Sequence, residues 1–255
     1  IKKYLLQLGG AAAASETTPT AAGGAAPQNM AIISADYDGC WDILFDGIGR
    51  CYLLAMGPYG EKMLDDGREI LNAKINAIEG SHARVVLNVG SARQSPVSDR
   101  QLRDAKDHAA AMRPTNAGLC HRDYESFVTT RGGQWELNKI LLSDISSGGE
   151  AGTTWGQLHI NHPNSAPPHN LNTKTDMLKV QFADAAKYHQ PINFYFMDDR
   201  NDIISHVINA ITDGTLEVPE YITFHITQFD WFQIHAQNRA PGAAHPWAPL
   251  IEKYP

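Results

Sequence analysis

AIISADYDGCWDILF, residues 31–45, carries a short apolar run straight into Asp36-Tyr37-Asp38-Gly39. Such a run suits a strand buried on both faces. Two carboxylates one residue apart at its end repel each other unless a cation lies near or one of them keeps its proton. Period-two geometry can aim Asp36 and Asp38 toward the same side of a sheet, and Gly39 permits a sharp change of direction. A divalent cation is the simplest remedy for the pair.

Similar runs recur along the chain. MAIISAD at 30–36, ARVVLNVGS at 83–91, NKILLSD at 138–144, INFYFMDD at 192–199 and YITFHIT at 221–227 make a set of five predicted strands. Leu64, Leu71, Ile75 and Ile78 recur at helical spacing and predict a helix over 61–79, with further helices over 98–112, 175–188 and 201–211. Strand, helix, strand in succession predicts an α/β domain over 31–255 whose sheet is mostly parallel and covered by helices. In such sheets ligands bind at the carboxyl ends of the strands. Residues 1–30, rich in Ala, Gly, Thr and Pro from residue 8 onward, read as a linker or disordered segment. Residues 113–173 are Gly- and Pro-rich with one convincing strand, which leaves room for a small insertion there.

Composition excludes several classes of function. At 255 residues, 43% hydrophobic and 19% charged, the chain is long enough for one large domain or two small ones. The net charge is −7 and the basic residues are scattered, so no electrostatic footprint for nucleic acid is visible. No run reaches the ~20 apolar residues of a membrane span. Cys40, Cys51 and Cys120 lack metal-ligand or CxxC spacing and read as free thiols in a reducing, cytoplasmic compartment.

The other strand ends offer what a cation at Asp36 needs. The run INFYFM is followed by Asp198, Asp199 and Asp202, and carboxylate oxygens are what Mg²⁺ prefers while it keeps positions open for phosphate. Ser91 ends the second predicted strand with a hydroxyl suited to a phosphoryl oxygen, although Asn88 or Arg93 is an alternative there. Lys174 stands at the start of a predicted helix, with Lys179 a turn later. Simpler roles compete: Asp199 or Asp202 as a helix cap, Ser91 as a turn cap, Lys179 as a solvated surface residue. His159, His162 and His169 are irregularly spaced among prolines and read as loop histidines rather than zinc ligands. Cys40 lacks the Arg six positions on that a cysteine phosphatase needs, and reads as packing. Phe229, Trp231 and Phe232 read as burying the end of the last strand.

The DxDG at Asp36–Gly39, the strand-ending Ser91, a lysine at 174 or 179 and the DDxxD at Asp198–Asp202 come in the order and rough spacing of the four motifs of the haloacid dehalogenase (HAD) superfamily, and the chain resembles that family over about residues 31–205. The resemblance implies a three-layer, Rossmann-like HAD fold with little or no cap domain. It implies Asp36 as the nucleophile, Asp38 as general acid and then base, and Ser91 with Lys174 or Lys179 as phosphate-binding residues. Lys174 is preferred for its distance to Asp198. Mg²⁺ is then held by Asp36, Asp38 through its carbonyl, and acids among Asp198, Asp199 and Asp202. Asp38 distinguishes the phosphatases from the dehalogenases and transport ATPases of the superfamily. Ser in place of the commoner Thr at 91 is a departure. DYDGCWD is also similar to HAD-like phosphatases among secreted effectors of intracellular bacteria, some acting on phosphotyrosine proteins. The expected function is a Mg²⁺-dependent phosphatase acting on phosphoprotein, in the cytoplasm or secreted into a host cell. The alternatives are a phosphatase or phosphomutase for a small phosphomonoester, and a non-enzymatic interaction module.

Overall fold

A computed structural model describes residues 30–37, 39–45, 58–91, 120–138, 168–229 and 251–253. The apolar runs become strands because both of their faces are covered. Every residue of β1 (Ala31–Ala35) and of β2 (Val85–Val89) is buried. With β3 (Trp135–Asn138), β4 (Ile192–Asp198), β5 (Ile222–Gln228) and β6 (Ile251–Lys253) they form one sheet in the order β3-β2-β1-β4-β5-β6. The first five strands are parallel, and β6 runs antiparallel to β5.

Alternation along each strand divides the apolar side chains between two cores. Ala31, Ile33 and Ala35 of β1 and Val85, Leu87 and Val89 of β2 meet Leu64, Leu71, Ile75 and Ile78 of helix α1 (Pro58–Ser81) and Tyr124 and Phe127 of α2 (Cys120–Arg131). Ile32 of β1, Val86 of β2 and Phe194 and Phe196 of β4 meet Met177, Leu178 and Phe182 of α3 (Pro168–Ala185) and Ile203, Ile204 and Val207 of α4 (Asn201–Thr212). The result is a three-layer, Rossmann-like α/β fold. Phe182, Phe194 and Phe224 anchor the second core, with Phe182 edge-on to the other two at 5.0 and 5.1 Å between centroids. No helix among the described residues is long and apolar enough to cross a membrane.

Several elements depart from expectation. The third strand is Trp135–Asn138 and shares only Asn138 with the predicted run; residues 139–144 lie outside the described residues. Helix α2 was not predicted, because its buried side chains, Cys120, Asp123, Tyr124 and Phe127, include a charge and few aliphatics. Their spacing of i, i+3, i+4 and i+7 is nevertheless a helical face. Residues 120–138 are thus part of the sheet's own layers rather than an insertion, and residues 139–167 lie outside the described residues. Helix α3 begins at Pro168, where proline suits a first helical position, so Lys174 lies inside the helix and not at its start. The predicted linker before Met30 and the predicted helix at 98–112 also lie outside the described residues.

Candidate active site

Chain order and sheet order part company at β1. The connection after β1 leads to β2 on one side, while β4 arrives on the other side after β3. The carboxyl ends of β1 and β4 therefore flank a topological switch point, where parallel α/β sheets open a crevice. Asp36 follows β1 and Asp198 ends β4. Ala35 is in register with Met197, and the Asp36 N–H donates to the Met197 carbonyl at 2.8 Å, so the two carboxylates occupy the next rung side by side.

The residues on α3 decide what meets them. Lys174 Nζ lies 2.9 Å from Asp36 Oδ1, 3.0 Å from Asp198 Oδ2 and 2.7 Å from the Gly90 carbonyl. Two turns later on the same helix, the Gln181 amide donates to the Val89 carbonyl at 3.0 Å. The two bonds grip successive carbonyls at the end of β2 and set the helix's register on the sheet. Gly90 also lets the ends of β2 and β1 lie close together: a Cβ there would stand 2.4 Å from the Ala35 carbonyl oxygen. Burial alone would lower the Lys174 pKa, but the charges of Asp198 and Asp36 outweigh it and raise it, so the ammonium stays protonated.

Asp199 completes the cluster. One carboxylate oxygen from each of Asp36, Asp198 and Asp199 lies within 4.8 Å of the other two. Asp199 faces the turn at Gly39, whose φ of +82° is left-handed and whose missing Cβ would sit 2.4 Å from Asp199 Oδ2. Burial, with the charges of Asp198 and Asp36, holds the Asp199 carboxyl well above the usual carboxylate range, and Asp199 Oδ1 is buried without a hydrogen-bond partner among the described residues. Burial also raises Asp198, against the pull of Lys174. Among the described residues, the one ammonium in contact with the cluster, that of Lys174, is thus too little for three carboxylates. The donor set, all oxygen, mostly buried and short of positive charge, fits a hard divalent cation.

The other predicted site residues fall as follows. Ser91 is buried directly after Gly90, whose carbonyl accepts from Lys174. Asn88 is the penultimate residue of β2, buried and in register with Ser34, one rung before the strand end. Lys179 does not join the site: five residues beyond Lys174, it points ~140° away around the helix, where it is exposed and pairs with Asp176 at 3.5 Å. Asp202 does not join it either, being exposed on the first turn of α4 and paired with Arg200. Asp38, Arg93, His159, His162, Trp231 and Phe232 lie outside the described residues. Cys40 is fully buried, and burial with the nearby acids raises its thiol pKa far from the thiolate range, in keeping with a packing role.

Sequence reasoning passed over Gly90, Gln181 and the contacts of Tyr37. The Tyr37 hydroxyl donates to the buried carboxylate of Asp123, and that of Tyr124 donates to the Ala35 carbonyl at 2.7 Å. Gly90 carried a signal, since a glycine directly after a buried strand often marks a close backbone approach. The rest depend on α2 and α3 docking and leave no local trace.

Comparison with known proteins adds no relative: no family model, no curated protein and no solved structure matches the chain.

Proposed function

We propose that the chain is a Mg²⁺-dependent phosphatase of the HAD type that acts through an aspartyl-phosphate on Asp36. The observation that carries this reading is the convergence of Asp36, Asp198, Asp199 and Lys174 at the switch point of a parallel sheet. A carboxylate oxygen of Asp36 attacks phosphorus while the bond from phosphorus to the leaving oxygen breaks, and that oxygen takes a proton from Asp38. Water then attacks the same phosphorus, Asp38 takes its proton, and Asp36 is released with inorganic phosphate. Lys174 holds Asp36 in place and offsets negative charge as the phosphoryl group arrives. Ser91 offers its hydroxyl to a phosphoryl oxygen. Asp36, Asp198 and Asp199 would hold Mg²⁺, which would supply positive charge opposite the phosphoryl oxygens.

The chemistry is that of phosphoric monoesters, and a phosphoprotein is the preferred substrate. Between β1 and β2 the described residues form a 3-10 turn (Trp41–Leu44) and α1, both packed on the sheet. What remains between them, residues 46–57, is too short for a helical lid domain. A site without a lid domain on that side would admit a side chain on a folded partner.

Hydrolysis of an aryl phosphate with and without Mg²⁺ tests the reading. Turnover should require the cation and should fall by at least about a thousandfold in Asp36→Asn, whose amide is a poor nucleophile. Hydrolysis that survives chelation, or full activity in Asp36→Asn, would overturn it. Phosphopeptides and sugar phosphates assayed side by side separate a protein phosphatase from a metabolite phosphatase.

A further inference from the structure

The residues on either side of Asp36 are both held by one helix, α2. In β1 the side chains of Ala31, Ile33 and Ala35 face the core beneath α1 and α2, and Tyr37 continues that alternation into the turn. Asp36, between Ala35 and Tyr37, is left to face the α3 side, where Lys174 waits. Two adjacent residues near the start of α2 hold its neighbours. The Tyr124 hydroxyl donates to the Ala35 carbonyl at 2.7 Å, and Asp123 accepts from the Tyr37 hydroxyl. Trp41 packs edge-on against Tyr124 at 6.0 Å, and its backbone N–H reaches the Asp36 carbonyl at 3.1 Å.

The polar pair is expensive for a core. Tyr37 is wholly buried and Asp123 is 3% exposed, with Arg122 as its second partner at 2.8 Å. Packing alone asks for no hydroxyl and no carboxylate here, since Phe opposite Leu fills a similar volume without desolvating a charge. What the pair adds is direction: a hydrogen bond fixes the rotation of the turn about the strand axis, which a greasy contact leaves freer. We propose that Tyr37 and Asp123 form a latch from α2 that aims the Asp36 carboxylate at Lys174, and that both are positioning residues for Asp36.

The effect on turnover rests on the phosphatase reading, whereas the effect on geometry does not. Tyr37→Phe removes the hydroxyl at little change in volume. The variant should stay folded by circular dichroism, its crystal structure should show the Asp36 carboxylate displaced from Lys174 beyond hydrogen-bond reach, and kcat for an aryl phosphate should fall about tenfold with KM unchanged. Asp123→Asn, whose amide oxygen still accepts from the hydroxyl, should retain most of the wild-type rate, while Asp123→Leu should behave like Tyr37→Phe. Should Tyr37→Phe fail to fold for want of a partner for Asp123, the double variant Tyr37→Phe/Asp123→Leu removes both polar groups and carries the same expectation. An Asp36 to Lys174 contact that stays at its present 2.9 Å in the folded variant overturns the latch, whatever the rate does. If the wild-type protein hydrolyses no phosphate ester, the phosphatase reading fails by itself and the crystal structures still decide the latch.

Discussion

Lys174 is the side chain on which the whole cluster balances. Buried at 4% exposure, it is the cation that stands between Asp36 and Asp198, and its removal leaves two like charges facing each other across adjacent strands. Lys174→Met should therefore cost about 3–5 kcal/mol of stability in metal-free buffer. Added Mg²⁺ should restore part of it, because a bound cation takes over the compensation. Thermal melts with and without Mg²⁺ measure both effects, and a variant that melts like the wild type, or that ignores the cation, would contradict the charge balance described. At this scale the sequence was informative where a residue's role follows from its own chemistry. Asp36, Asp198 and Asp199 were legible as acids ending apolar runs, and Lys174 as a cation at a suitable distance along the chain. Lys179 and Asp202 were also candidates, with a solvated surface residue and a helix cap as their competing readings, and the turn of the helix each sits on carries it to the surface.

At the scale of elements, the strands were legible because burial on both faces leaves a continuous apolar run. β1, β2, β4 and β5 all fall within predicted runs to a residue or so. β3 was not read from the sequence, because it pairs with β2 alone among the described strands and its burial is mixed, Trp135 and Asn138 inside with Glu136 and Leu137 half-exposed. Helix α1 declared itself through aliphatic residues at helical spacing, and those residues hold it to the sheet. Leu71, wholly buried between α1 and the strands, should cost about 2–5 kcal/mol when cut to Ala, read as a shift of the denaturation midpoint at constant slope. A cost below about 1 kcal/mol would mean that α1 is not seated as described. Helix α2 was missed for a physical reason: its inner face is built from Asp123, Tyr124 and Phe127 and serves the turn after β1 as much as the core.

For the whole molecule, the two ends of the sheet behave differently toward acid. Away from the acidic cluster, His225 of β5 stacks on Tyr195 at 4.4 Å and shares Asn193 with His82. Burial, with the charges of Lys74 and His82, lowers its pKa to about 4 in the fold, against 6.5 for the free side chain. The unfolded chain therefore binds this proton first as pH falls, so the fold loses stability between about pH 6.5 and pH 4 and gains nothing from this group above that window. His225→Gln, which keeps a hydrogen-bonding group of similar reach, should flatten that limb of the stability profile. An unchanged slope would show that His225 is not the group responsible. The topology, by contrast, needed no histidine to be read: alternating strands and helices predicted a parallel sheet with its site at the carboxyl ends, and the strand order then placed that site between β1 and β4.

The most direct test of the account is chemical trapping. Protein mixed with an aryl phosphate and Mg²⁺, quenched in acid within the turnover time and digested, should yield one peptide bearing a phosphoryl group on Asp36, and Asp36→Asn should yield none. Turnover without any phosphoryl group on Asp36, or a phosphoryl group on another side chain, would contradict it.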